Sequence, residues 1–225
     1  FSPLHCCARV TCVRRRRGPP SCQKTQWGKV LDEPQPKRRR HPASTLHSAV
    51  RADDDRQIER ALSEGASIDS TAAVEAEDGF PTEYSGQAVT ALMLAIGLGR
   101  NRIARLLLER AANVGAFLCR GETALHTSAG FGNVEMIGVL IAAGSDIHAA
   151  DDDGATPILY GAWKGHAEVV RVLAELGSSV ETPDSDGATP VFIAAQQGHT
   201  ETVRALAELG ACVKTPNNYG ATRRR

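Results

Sequence analysis

A pattern of residues that returns every 33 positions constrains this chain more than any other feature of its sequence. Its clearest copy covers residues 154–186, and the residue types that open this copy recur one period before it and one period after it. The recurring glycine and threonine are Gly121 and Thr123, Gly154 and Thr156, and Gly187 and Thr189. A fixed period of about 20 to 50 residues is typical of repeat architectures, in which each unit packs against its neighbours. The chain is therefore predicted to be a stack of similar units.

Five copies of the pattern, and the start of a sixth, cover the chain from residue 44 to residue 222. The predicted copies are 44–87, 88–120, 121–153, 154–186 and 187–219, with a sixth opening at Gly220 and a basic end at 223–225. The spacing from Leu46 to the matching Leu92 of the second copy is 46 residues, which is thirteen more than the period. We expect these residues to form a loop between Asp69 and Ala88, because loops absorb extra length at a small entropic cost.

The two ends of the sequence indicate how the row of copies begins and stops. The chain begins at Phe1 rather than at a methionine, and its sixth copy stops after a few residues. We therefore expect either a fragment of a longer protein or a fifth copy whose apolar flank meets a partner.

Each copy is predicted to fold into two short helices. In copy four the first helix is expected at about 157–164, with Thr156 as the N-cap whose hydroxyl accepts a backbone N–H. The second helix is expected at about 167–176, and Gly177 ends it in the left-handed conformation. The following residues, 178–186, are rich in turn formers and predict a hairpin loop. Helices this short are marginal on their own, so the core has to close between copies.

Three short motifs occur at matching places among copies three to five, though not each of them in every copy. They are the opening Gly-x-Thr-Pro-Leu-His, seen in variant form at Gly121–His126 and Gly154–Leu159, the glycine–histidine step at Gly165–His166, and the ending at Leu209–Val213. Together these motifs resemble the ankyrin repeat. The resemblance covers residues 44–222 and implies an all-α ankyrin-repeat solenoid, with a helix-turn-helix and a hairpin loop in each copy.

The N-terminal 43 residues differ from the repeats in charge and composition. They carry eleven Lys and Arg against two Asp and Glu, whereas residues 44–222 carry twelve against twenty-four. Residues 1–43 also hold six of the eleven prolines, without helical or strand periodicity, and are predicted to be a disordered basic tail. The basic runs Arg14–Arg17 and Lys37–Arg40 are compatible with a solvated linker, a nuclear localisation signal, or a patch for nucleic acid or anionic membranes.

No residue cluster in the sequence predicts catalysis, a cofactor or a metal ion. Three other copies hold Met93, Leu159 and Phe192 in the slot of His126, and a metal ligand would not tolerate these replacements. The acidic run at 151–153 lacks the alternating spacing and the closing glutamate of an EF-hand loop. We therefore predict a protein that is not an enzyme and that needs no cofactor or metal.

The sequence shows neither a membrane span nor a secretory signal. No apolar run reaches the ~18 residues that a span needs, and the N-terminus lacks a charged start followed by an apolar core. From this we expect an intracellular protein, in the cytoplasm or the nucleus, and we expect it to be a monomer.

The resemblance implies that function lies on the surface of the stack. Ankyrin arrays bind protein partners along the hairpin tips and the exposed side of the first helices, on the concave face of the solenoid. The residues of this chain at those variable slots are Arg120, Glu122, Phe131, Asp152, Asp153, Trp163, Lys164, Ser185, Asp186, Gln196, Gln197 and Tyr219. Phe131 and Trp163 are expected to be neighbours on one face and to form an interface hot spot. The alternative is that Trp163 only folds over Lys164 or the next copy.

The predicted function is a protein–protein interaction module that binds a partner with a basic or mixed patch on its acidic concave face. Two alternatives stay open at this stage. The chain is also compatible with a targeting or regulatory fragment of a larger multidomain protein, such as a kinase, a ubiquitin ligase or a channel. Nucleic-acid association is the third possibility, and it would need the basic tail, because the acidic repeats repel phosphates.

Overall fold

The computed structural model describes residues 42–75, 86–118 and 120–212, with side chains from Leu46 onward. Residues 1–41 of the predicted disordered tail, with its basic runs, lie outside the described residues, as do residues 76–85 of the expected loop, the start of the sixth copy and Tyr219. The last two residues of the predicted tail, Pro42 and Ala43, are helical instead. The helices of the described part are α1 Pro42–Ala52, α2 Asp55–Ser63, α3 Ala91–Gly97, α4 Asn101–Glu109, α5 Ala124–Gly130, α6 Val134–Ala142, α7 Pro157–Lys164, α8 Ala167–Glu175, α9 Pro190–Gln197 and α10 Thr200–Glu208. The strands are β1 Thr71–Ala73 and β2 Ala88–Thr90.

The helices form successive pairs that stack into two rows. Within each copy the first helix packs against the second, as α7 packs against α8. Between copies, the first helices α1, α3, α5, α7 and α9 contact one another in order, and so do the second helices from α4 to α10. This confirms the all-α repeat architecture predicted from the sequence. The first helix α1 begins at Pro42, two residues before the predicted start of the repeats at residue 44.

The core lies between the helices of adjoining copies. In copy four, Ile158 and Leu173 are fully buried, one from each helix of the pair. The first helices also bury small residues: Ala129 of α5, Ala162 of α7 and Ala194 of α9 are all fully buried. Close packing of small and branched side chains removes apolar surface that a single pair of short helices would leave in water.

The helix boundaries of copy four follow the predicted ones closely. The first helix α7 covers Pro157–Lys164, as expected, and α8 ends at Glu175, one residue before the expected end. Gly177 has a φ of 101°, in the left-handed region that glycine favours. The described part of the chain contains no helix that is both long enough and apolar enough to cross a bilayer.

The predicted cap of α7 is correct in position but wrong in its hydrogen bond. Thr156 is the N-cap residue, yet its hydroxyl makes no cap bond, and its Oγ1 is buried without a hydrogen-bond partner. In copy three the equivalent Thr123 uses a histidine instead: His126 Nδ1 lies 2.9 Å from Thr123 Oγ1 and accepts the Thr123 N–H at 3.1 Å. Copy four has Leu159 in the slot of His126, and a leucine side chain has no nitrogen that could bond to Thr156 as His126 Nδ1 bonds to Thr123.

Strands β1 and β2 flank the extra residues of the first copy. They are antiparallel, with Thr71 opposite Thr90 and Ala73 opposite Ala88. The pairing continues beyond the strands, because the Val74 N–H donates to Gln87 O at 2.8 Å. A loop was expected between Asp69 and Ala88, and residues 76–85 of it lie outside the described residues. The segments on either side of them are paired as strands, which satisfies backbone groups that an unpaired segment would leave to water.

Candidate functional site

An open groove of about 450 Å³ lies between copies four and five, on the side of the first helices. Trp163, in the last turn of α7, forms one wall. The other lining residues come from α9 and from the loop that precedes it: Asp184, Asp186, Ala188, Phe192, Ile193, Gln196 and Gln197. The groove is therefore built by two adjoining copies.

The groove combines an apolar part with an acidic part. Phe192 and Ile193 are half-buried, so part of each side chain faces solvent. Among the described residues, the lining includes two carboxylates and no Lys, Arg or His. Asp184 also holds its loop in place, because its Oδ1 accepts the backbone N–H of Asp186 at 3.0 Å and that of Ala188 at 2.8 Å. The acidic wall therefore has a defined backbone geometry.

Trp163 is held at its backbone, while its ring stays partly exposed. Its carbonyl oxygen accepts a hydrogen bond from His199 Nε2 of the next copy at 2.9 Å. The rings of Trp163 and Tyr160 pack in a T-shaped arrangement, with their centroids 6.2 Å apart and an interplanar angle of 88°. The Lys164 Nζ lies 3.8 Å from the centroid of the indole, a cation–π contact. Even so, 37 % of Trp163 remains exposed.

A polar cluster surrounds the hydroxyl of Tyr160, the residue whose ring contacts Trp163. The hydroxyl donates to Asp151 Oδ2 at 2.8 Å, and both residues are buried. Burial raises the pKa of Tyr160 above its ordinary value, and the charges of Glu122 and Asp151 act in the same direction. The hydroxyl therefore stays protonated and continues to donate. Asp151 Oδ1 accepts the backbone N–H of Asp153 and of Ala155, as Asp184 does one copy later.

The structure places the predicted surface residues in different environments. Trp163, Asp186, Gln196 and Gln197 come together at the groove. Glu122 was expected at the surface but is only 3 % exposed, because it lies beside the Tyr160 hydroxyl. It is thus a buried residue of the framework rather than part of the exposed tip.

The remaining predicted residues lie along the loops and the first helices. Arg120 forms an ion pair with Asp153, and the Asp152 N–H donates to Arg120 O at 3.0 Å. The Ser185 N–H donates to Asp153 O at 2.9 Å, which links successive tips. Phe131 is half-buried and packs against the core, and its predicted place beside Trp163 stays a prediction.

Phe192 and Ile193 belong to the groove, although the sequence did not predict them there. Phe192 stands in the slot of Met93, His126 and Leu159, which are all buried. The sequence named Phe192 only as the residue in the slot of His126 and assigned no surface role to that slot. The available signal was the aromatic ring itself, which is larger than the residues at this slot in the other copies.

The four histidines of the repeat motifs all bridge to a backbone carbonyl of an adjoining copy. His47 Nε2 lies 3.1 Å from Val89 O, and His126 Nε2 lies 3.0 Å from Ala155 O, each in the following copy. His166 and His199 reach back, to Gly130 O at 3.1 Å and Trp163 O at 2.9 Å. These histidines therefore join the copies. Among the described residues, no group of three or more His, Cys, Asp or Glu is arranged to hold a metal ion.

Replacing His126 with leucine should lower the free energy of unfolding by about 1 to 3 kcal/mol, because half-buried hydrogen-bonding groups of Thr123 and Ala155 lose their partner. Leucine fits this slot in copy four, so the loss should reflect the hydrogen bonds rather than the shape. Urea denaturation followed by circular dichroism measures it. A change below about 0.5 kcal/mol would show that the histidine bridge contributes little.

The same variant should change the pH dependence of stability. Burial lowers the pKa of His126 below its ordinary value of 6.5, against the opposing effect of the Ala155 carbonyl. The unfolded chain then takes up a proton before the folded one does, so stability falls as the pH decreases through about 6.5. His126→Leu should reduce this slope, whereas His148→Gln, at an exposed site, should keep it.

Stacked helix pairs with a hydrogen-bonded framework and a variable exposed face define a solenoid repeat protein. The family model for ankyrin repeats matches the chain three times, at residues 46–151, 113–184 and 135–217. The chain belongs to the ankyrin repeat family. Ankyrin repeats are generally protein–protein interaction modules and are typically not enzymes. A comparison with curated proteins found no match.

Proposed function

We propose that this protein binds a protein partner on the face formed by its first helices and the loops that precede them, with the groove at Trp163 as the centre of the interface. One observation carries the proposal. Four residues at slots that vary between copies, Trp163, Asp186, Gln196 and Gln197, line one groove between adjoining copies. The residues that recur in each copy serve to hold neighbouring copies together, as His199 does by its hydrogen bond to the Trp163 carbonyl oxygen.

The chemistry of the groove suits a protein segment. A partly exposed tryptophan offers a large and rigid apolar surface, and such residues dominate interface energies when a partner covers them. The exposed amides of Gln196 and Gln197 both donate and accept hydrogen bonds, as the backbone of a bound segment requires. Arg120, Asp152 and Asp153 extend this surface along the neighbouring tip.

Replacing Trp163 with alanine should weaken partner binding by about 30-fold or more, which corresponds to the ~2 kcal/mol that defines a hot spot. The partner would first be captured with the wild-type chain and identified by mass spectrometry, and its affinity would then be measured by calorimetry. The helical content of the variant should stay unchanged, because the ring is 37 % exposed and its backbone hydrogen bond remains.

A matched control comes from the other row of helices. Leu176 is 44 % exposed at the end of α8, so Leu176→Ala also removes an exposed apolar side chain, but away from the groove. This variant should bind the partner as the wild type does. Equal affinities for wild type and Trp163→Ala, or equal losses in both variants, would count against the groove as the centre of the interface.

A further inference from the structure

We infer that the groove at Trp163 selects a partner segment in which an arginine or lysine stands beside an apolar residue. This inference rests on the function proposed above and names the chemistry of the partner. It is carried by three features of the described residues: a cation already seated on the indole, two carboxylates in the groove wall, and an apolar floor next to them.

The indole of Trp163 already attracts a cation from its own chain. Lys164 Nζ lies 3.8 Å from the ring centroid, within the range of a cation–π contact. The lysine side chain is long and flexible, so it can leave the ring when a competing group arrives. An arginine of a partner is a stronger candidate for that place, because its planar guanidinium stacks on aromatic faces and carries more hydrogen-bond donors.

The charge around the groove favours a cationic partner. Asp184 and Asp186 line it, and no cationic side chain stands among the lining residues that the structure describes. Elsewhere in copies four and five, Arg171 forms an ion pair with Glu208, and Arg204 pairs with Glu201. These pairs lie in the second helices, so their positive charges are engaged away from the groove.

The floor of the groove accounts for the second half of the preference. Phe192 and Ile193 present partly exposed apolar surface directly beside the acidic wall. An aliphatic side chain next to the basic residue would cover this surface and remove it from water. The exposed amides of Gln196 and Gln197 are then in reach of the peptide backbone. A basic residue followed by an apolar one fits the groove better than either does alone.

Lys164 takes a specific part in this recognition. It occupies the ring that the incoming cation needs, and its own charge repels that cation. Its removal should therefore strengthen the binding of basic segments. A groove that recognised only apolar shape would not respond in this way.

The test uses the full chain with Trp27→Phe, which leaves Trp163 as its sole tryptophan and its indole N–H as a single NMR reporter. Three capped tetrapeptides are titrated: acetyl-Gly-Arg-Leu-Gly-amide, the same peptide with neutral citrulline in place of arginine, and the same peptide with glutamate. The arginine peptide should bind at least about fivefold more tightly than the citrulline peptide. The glutamate peptide should bind most weakly.

Two charge variants sharpen the result on the same reporter. Lys164→Gln should bind the arginine peptide about two- to fivefold more tightly, and Asp186→Asn should bind it about two- to fivefold more weakly. The matched controls Arg204→Gln and Glu175→Gln make the same changes in charge on the second helices and should leave the affinity within twofold. The chain's own basic run offers the same chemistry, so the titrations are repeated with Arg38, Arg39 and Arg40 replaced by glutamine, and the order of the peptides should persist.

The outcomes separate this inference from the proposed function. Equal binding of the three peptides would overturn the preference for a cation while leaving a groove that binds protein segments. The absence of a saturable shift with any peptide would also overturn the inference, whereas the proposed function is decided by partner affinity in Trp163→Ala. If Asp186→Asn and Glu175→Gln weakened binding of the arginine peptide equally, the effect would come from the overall charge of the repeats. That result would overturn the inference as well.

Discussion

Replacing Leu173 with alanine is expected to lower the free energy of unfolding by about 2 to 5 kcal/mol. Leu173 is fully buried in α8, which contacts α6 on one side and α10 on the other. The missing methyl groups would leave a cavity that relatively rigid, close-packed helices cannot fill. In a stack whose stability depends on contacts between neighbours, the loss should affect several copies together. Urea denaturation monitored by far-ultraviolet circular dichroism measures it.

Leu176 provides the control for this prediction, because it lies in the same copy with the same side chain. It is 44 % exposed, so Leu176→Ala removes surface that already faces water. Its cost should stay within about 1 kcal/mol. Similar losses for the two leucines would mean that the second helices are packed less tightly than their burial indicates.

Gly165→Ala is the second change with a large expected effect, about 2 to 4 kcal/mol. Gly165 ends α7 with a φ of 81°, a left-handed conformation that costs other residues about 1 to 2 kcal/mol. A methyl group here would also lie 2.6 Å from Nδ1 of His199, a ring of the next copy. His199 would have to move and would lose its hydrogen bond to Trp163 O.

Gly198 separates the two causes, because it repeats the conformation without the neighbour. Its φ is 82°, and in the described part of the chain, apart from its own neighbours in sequence, no atom lies within 4 Å of the place where a methyl group would be. Gly198→Ala should therefore cost only the conformational part, about 1 to 2 kcal/mol. The double variant Gly165→Ala with His199→Ala should lose less than the two single losses added together. Equal costs at Gly165 and Gly198 would contradict a tight contact between copies four and five.

Much of the fold was predictable because its signals are local. The period of 33 residues and the threonine–proline starts placed both helices of copy four to within one residue. Capping residues, glycines and apolar spacing act over a few neighbouring positions, and the same short segment folds in the same way in each copy. The strand pair beside the insertion escaped prediction, because Thr71 and Thr90 pair across a distance in the chain that carries no period.

The groove could be predicted only in part. Four of its residues were expected at the surface because their slots vary between copies, but Phe192 and Ile193 were not predicted there. Glu122 went the other way, from an expected tip residue to a buried neighbour of Tyr160. In both cases the environment depends on side chains that belong to an adjoining copy or to the next loop.

Repetition in the chain was therefore sufficient to establish the helix pairs, the stack and the acidic character of the repeats, since each follows from composition and from spacing within one copy. The tertiary structure decided which variable residues meet. It placed Lys164 over the Trp163 ring and buried Glu122. It also brought Trp163 of copy four and Phe192 of copy five into one groove. The physical reason is that exposure and charge pairing arise where two copies touch, and a single copy's sequence does not contain its neighbour's side chains.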